Sequence, residues 1–169
     1  MAGGDLNRST RFKEPIACTD GELQEFGRLV RQGFEGSDDA LDDRIRDAKW
    51  LAFRYTAGDT MGAIAALKAP TDRYRDDVFK KADAPVSSAD YRLELGWVFV
   101  IPEQRGQRVA ETLCQSLLAR VSRSCVFATT RPDNIPMIRI LLALGFVRTG
   151  TPFPHQRRNE ELVMFLRSG

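Results

Sequence analysis

The sequence predicts a mixed α/β fold, one domain with elements in the order β-α-α-β-β-β-α-β-α-β-β. Three observations carry that expectation. Runs of β-branched and aromatic residues alternate along the chain with stretches whose apolar residues recur at helical spacing. The length of 169 residues, with 43% hydrophobic and 28% charged side chains, suits a globular domain with a full core that needs neither disulfides nor a metal. The stretch from Val100 to Leu118, VIPEQRGQRVAETLCQSLL, reads as a strand ending at Pro102, an Arg-Gly turn and a helix with one apolar face.

The elements follow in turn. Residues 1–11 are expected to be disordered or extended, with the domain spanning residues 12–169. Phe12 to Cys18 reads as a short strand. Thr19-Asp-Gly-Glu22 has the form of a capping box, and Leu23, Phe26, Val30 and Phe34 fall on one face of the helix that follows. Ser37 can cap a second helix carrying Leu41, Ile45 and Ala48. Trp50–Ala57 and Met61–Leu67 form a hairpin about Gly58-Asp59. Residues 70–90 are an insertion, long enough for a lid or substrate loop; the bland alternative is a surface helix packing two or three apolar side chains on the sheet edge. Within it Asp72–Ala82 can form a charged helix bearing Tyr74, Val78 and Phe79. Leu93–Ile101 is the next strand, and Gly106–Val121 the next helix, with Ala110, Leu113, Cys114, Leu117, Leu118 and Val121 inward. Cys125–Thr130 is a strand. Asp133 or Asn134 caps a helix with Pro136 in its first turn and Gly145 at its end, and Phe146–Thr149 and Leu162–Leu166 close the sheet.

Several function classes are excluded at this level. No apolar run is long enough to cross a bilayer, and MAGGDLNRSTRFKEP has no apolar core of a secretory signal, so a cytoplasmic location is expected. The cysteines, Cys18, Cys114 and Cys125, are scattered, and no Cys/His cluster has metal-ligand spacing, so no metal is expected. Neither a nucleotide-triphosphate loop nor a dinucleotide fingerprint is present. His155, the only histidine, sits in a Pro-rich stretch unsuited to catalysis. Charge is uneven. From Arg92 onward there are eleven Arg, no Lys and six acidic residues, a net +5, against −3 before it. Guanidinium groups suit a phosphorylated ligand, and the turn at Arg105-Gly106 opening a helix is the natural place for it.

The element order, and above all VIPEQRGQRVAETL, resembles the GNAT superfamily of acetyl-CoA-dependent N-acyltransferases, from Phe12 to Leu166. Arg105-Gly106-Gln107-Arg108-Val109-Ala110 matches the family's phosphate loop, and Asn134 through Leu144-Gly145-Phe146 matches a second feature. The resemblance implies a splayed central strand pair and acetyl-CoA as co-substrate. Its pyrophosphate would lie against the N–H groups of Gln107, Arg108, Val109 and Ala110, with charge from Arg105 and Arg108 and room left by Gly106. Its pantetheine arm would pair along Val98, Phe99 and Val100, with Asn134 touching the same arm.

Two departures from the family pattern matter. Arg108 stands where a glycine is usual; the turn survives if Arg108 is already helical, and its side chain adds a phosphate contact. Leu141 stands where the family often has a Tyr that protonates the leaving thiolate. A thiol of ordinary pKa about 8.5 leaves tolerably without that acid, although losing it costs on the order of 10²-fold. For the base, the residues point to Glu94, placed by strand alternation with Gly96, Val98 and Val100, opposite Leu93, Leu95, Trp97 and Phe99; the bland alternative is a pair with Arg92. A backbone N–H near Val98 would polarise the thioester oxygen. The expected activity is acetyl transfer from acetyl-CoA to a primary amine of a small-molecule or peptide acceptor. The rival from another class is a non-catalytic acyl-CoA-binding regulator. A nucleic-acid partner is the weaker reading of the Arg-rich half; no membrane partner is expected, and a homodimer is compatible with the sequence.

Overall fold

The computed structural model describes residues 9–34, 39–156 and 158–169. Among the described residues there are seven strands and five α-helices, and the hydrogen-bonded strand order is β1 (Thr10–Lys13), β2 (Trp50–Tyr55), β3 (Met61–Lys68), β4 (Leu93–Val100), β5 (Val126–Thr130), β7 (Glu161–Arg167), β6 (Val147–Pro154), a mixed sheet as expected. The chain divides into two units, Met1–Lys68 with Trp97–Arg120, and Ala69–Gly96 with Val121–Gly169.

In the first unit β1 (Thr10–Lys13) runs antiparallel to β2 (Trp50–Tyr55), and β2 to β3 (Met61–Lys68). The first strand is shorter than the sequence suggested, because Pro15 starts a 3-10 turn over Pro15–Ala17 in place of further ladder. The capping box forms as read: Thr19 Oγ1 accepts from the Glu22 N–H at 3.2 Å and Glu22 Oε2 accepts from the Thr19 N–H at 2.8 Å, starting α1 (Asp20–Gly33). Burial works against the Glu22 carboxylate, but the Lys13 ammonium at 2.7 Å and the Thr19 N–H hold it below the usual Glu range. Ala40 is the N-cap of α2 (Leu41–Arg46), and Ser37 lies outside the described residues. The core joins Phe26, Leu29 and Val30 of α1 to Leu41, Ile45, Leu51, Phe53 and Ile64, with Trp97 and Phe99 packed on it. α4 (Val109–Ala119) buries Val109, Leu113, Cys114, Leu117 and Leu118; burial pushes the Cys114 thiol up to about 12, so it behaves as a small core residue.

In the second unit β5 (Val126–Thr130) pairs antiparallel with β7 (Glu161–Arg167), which pairs with β6 (Val147–Pro154). The insertion forms α3 (Asp72–Lys81) as expected, and the helix packs on the sheet. Val78, Phe79 and Ala82 are buried with Tyr91, Phe127, Phe153, Met164 and Leu166, and the Phe79 ring meets Phe127 edge-on at 5.2 Å. The end of this helix is bonded to β6 through the Thr151 N–H and the Ala82 carbonyl, 2.8 Å apart. Gly150 makes that approach feasible. Its φ is +71°, and a Cβ there would lie 2.0 Å from the Ala82 oxygen. Gly150→Val is therefore expected to destabilise the protein by about 3–5 kcal/mol in urea unfolding, since backbone strain and an unavoidable backbone clash coincide. A loss under about 1 kcal/mol would show that the insertion is not docked there.

β4 (Leu93–Val100) belongs to both units, dividing between Gly96 and Trp97. Its parallel ladder with β5 has two pairs, Leu93↔Val126 and Glu94↔Phe127, and no further β4–β5 pair follows among the described residues, as a splayed strand pair requires.

Candidate functional site

The turn after β4 is built from the strand outward. The Ile101 N–H donates to the Gly62 carbonyl at 2.9 Å, and a 3-10 turn follows over Pro102–Gln104. Gln104 lies on Gly62, where a Cβ would come within 2.9 Å of its Oε1. The sequence reading missed this anchor. Its signal was present, because a glycine inside a strand marks close approach of another segment. Arg105 then folds back: its Nε–H donates to the Val100 carbonyl at 2.9 Å, and its guanidinium stands 6.0 Å from the centre of the Phe99 ring. Of the expected site residues, Phe99, Val100 and Arg105 are thus in direct contact.

The helix starts at Val109, three residues later than the periodicity suggested. Gly106 at φ +77° and Arg108 at φ +57° are left-handed, so neither can continue a right-handed helix. This overturns the expectation that Arg108 keeps the turn by being helical: it takes the conformation that glycine adopts most easily. A backbone of this kind turns successive N–H groups toward one side, an anion-binding concavity. The first helical bond is from the Thr112 N–H to the Arg108 carbonyl at 3.0 Å, and no side chain caps the N–H groups before it. A Cβ on Gly106 would meet nothing within 4 Å, so the surface over the turn is open. Arg108 itself is 80% exposed and pairs with Glu111 at 3.1 Å, a pair that an incoming anion would compete with. Exchanges at Arg108 test the strain. Thermal unfolding should rank Arg108→Gly at or above the wild type and Arg108→Val below it by about 1–2 kcal/mol, because a β-branched residue tolerates positive φ worst. Equal stability of all three would show an unstrained turn.

Trp97 changes how β4 is read. Its φ of +49° interrupts the strand one residue after Gly96, and its ring is held between the Phe26 ring, edge-on at 6.2 Å, and the Lys68 ammonium at 5.2 Å. A left-handed aromatic residue inside a strand is strained and breaks simple alternation. Trp97 and Phe99 pack on the first unit's core, whereas Glu94 and Leu95 are both buried although adjacent.

In the second unit, Glu94 is 3% exposed and pairs across the ladder with Phe127. Asn134 is the N-cap of α5 (Ile135–Ala143): its Oδ1 accepts from the Met137 N–H at 3.3 Å, and its amide N–H groups have no partner among the described residues. The helix closes as read. The Gly145 N–H reaches the Leu142 carbonyl and the Phe146 N–H the Leu141 carbonyl, the paired bonds of a Schellman motif. Leu141 is fully buried, so no hydroxyl is offered from that position. His155 serves the β6–β7 connection, its N–H donating to the Glu160 carbonyl at 2.8 Å. No described helix is long and apolar enough to cross a membrane, and no metal-ligand cluster occurs among the described residues.

Comparison with known proteins adds independent findings. The model of the acetyltransferase (GNAT) family matches residues 18–146. No curated protein matches in sequence. Solved structures share the fold at low identity. An acyl-CoA N-acyltransferase from Pseudomonas aeruginosa is 15% identical with a TM-score of 0.68, covering 94% of this chain and 98% of that one. A GNAT-family acetyltransferase from Streptococcus agalactiae is 16% identical with a TM-score of 0.66, covering 95% of each chain. Naa50 of Arabidopsis thaliana, solved with the bisubstrate analogue CoA-Ac-MVNAL, is 14% identical with a TM-score of 0.66, covering 95% and 99%.

Proposed function

The chain belongs to the GNAT acetyltransferase family and is an acyltransferase, and from that premise we propose that it moves the acetyl group of acetyl-CoA directly to a primary amine on a small molecule or peptide. The observation that carries the donor half is the turn itself: left-handed Gly106 and Arg108, uncapped N–H groups at the start of α4, and open space above them. These fit a pyrophosphate. The N–H groups of Gln107, Arg108, Val109 and Ala110 bind it, aided by the positive end of the α4 dipole. Arg105 offers its terminal nitrogens while its Nε stays tied to Val100. Val98, Phe99 and Val100 supply the strand edge for the amide-bearing arm, and the Asn134 amide N–H groups, without a partner among the described residues, are donors of the right kind for one of its carbonyls.

Acetyl-CoA supplies an activated acyl group on a thiolate leaving group. The chain's part is to hold it and to manage protons. An amine is mostly protonated at neutral pH and must lose a proton before it attacks, and Glu94 takes that proton directly or through a water. The Val98 N–H, next to the left-handed Trp97, stabilises charge developing on the acyl oxygen.

Acetyl-CoA consumption measured against a panel of polyamines, amino acids, aminoglycosides and peptide N-termini tests the reaction. Turnover with at least one amine is expected, with stoichiometric release of free thiol. A second reading, a non-catalytic acyl-CoA-binding regulator, is favoured by the buried Leu141. Tight CoA binding without turnover of any amine would select it.

A further inference from the structure

We infer that the cleft at the head of β4 and β5 is a second ligand site, for a small monoanionic carboxylate with an apolar body. The cleft lies wholly within the second unit and has a volume of about 530 Å³, within the range of roughly 300–1,000 Å³ usual for small-molecule sites. One wall runs from Val86, Ala89 and Asp90 at the end of the insertion through Tyr91 and Arg92 to Leu93 at the start of β4; the other is Arg123, Ser124 and Cys125, leading into β5. The insertion, unused by acyl transfer, thus gains a role.

Charge and shape point to the ligand. Arg92 and Arg123 both line the cleft and are exposed, and neither guanidinium has an ion-pair or hydrogen-bond partner among the described residues. Of the other described arginines in the Arg-rich half, six are held, whereas the exposed Arg139 and Arg148 also have no partner among the described residues but line no cleft with a second guanidinium. Arg105 bonds a carbonyl, Arg108 and Arg131 pair with carboxylates, and Arg120 lies 4.2 Å from the centre of the Phe12 ring. Two guanidiniums on one cleft repel each other, and a shared carboxylate removes that repulsion through paired N–H donors. Asp90 is the single acidic side chain on the lining, so the lining carries a net +1 and disfavours a polyphosphate. The rest is apolar. Val86 is 41% exposed at the rim, and Leu93 and the Tyr91 ring, 5.6 Å from Phe79, form the inner surface. This cleft shares no residue with the phosphate turn and does not include Glu94, so the inference stands or falls apart from the acyl-transfer reading.

Cys125, part-exposed on the wall, reports occupancy. The full-length protein is alkylated with N-ethylmaleimide with and without 4-methylpentanoate, and the rates at Cys125 and Cys18 are read by peptide mass mapping. The carboxylate is expected to slow Cys125 at least about fivefold and leave Cys18 unchanged, with the half-effect concentration rising about tenfold in Arg92→Ala and in Arg123→Ala. Stronger protection by leucine, lost in Asp90→Asn, would support the site in its amino-acid form. Inorganic phosphate protecting as well as 4-methylpentanoate overturns the inference. So does the absence of carboxylate protection at about 10 mM, or protection that both arginine variants retain.

Discussion

Gly106→Glu is expected to weaken CoA binding by at least about a hundredfold in calorimetry, roughly 2.7 kcal/mol, while the protein stays folded. Two effects add. Gly106 has φ +77°, which costs an L-residue about 1–2 kcal/mol, and the new carboxylate would stand at the mouth of a concavity whose N–H groups and arginines suit an anion. Gly106→Ala separates them. Because a Cβ there meets nothing within 4 Å, alanine incurs only the conformational term and should lose about tenfold or less. Arg105→Ala should also lose about tenfold, through the phosphate charge and the bond that ties the turn to Val100. Unchanged affinity in both Gly106→Glu and Arg105→Ala would remove the turn from phosphate binding.

What the sequence could reveal followed from whether a residue's conformation is set locally. The capping box at Thr19 and the Asn134 cap with its Gly145 stop were legible because each is fixed by side chains within a few residues. The phosphate turn was legible in composition but not in conformation. Nothing in RGQRVA says that Arg108 rather than a glycine takes a left-handed φ, since that depends on the Gln104–Gly62 anchor and on the later start of α4. The packing of Trp97 on the core was legible but its left-handed φ was not: alternation assumes extended residues throughout, and the contacts with Phe26 and Lys68 that hold Trp97 lie far away in the sequence. The insertion's helix was visible in its periodicity. Its packing through Val78 and Phe79 was one of two readings the sequence allowed, whereas the backbone bond between Ala82 and Thr151 was not visible, because it leaves no trace in side-chain type beyond the glycine at position 150.

Glu94→Gln is expected to lower kcat by about 10²–10³-fold with CoA affinity unchanged. The substitution keeps the shape of a side chain that is 3% exposed beside Leu95, so a purely structural role would appear as lost stability in urea and would leave the pH profile as it was. A base role makes a different demand. Only the carboxylate form accepts the amine's proton, so wild-type activity rises as pH climbs through the acid limb and then levels. Gln accepts no proton, so that limb should vanish. The remaining slow rate should follow only the free-amine fraction of the acceptor, rising with pH toward the acceptor's own pKa. Leu141 sharpens the comparison, because the fully buried side chain offers no titrating hydroxyl from that position to add a second limb. A variant that keeps the wild-type acid limb while losing stability would place Glu94 among the packing residues of the second unit and return the base to an unassigned group or to solvent.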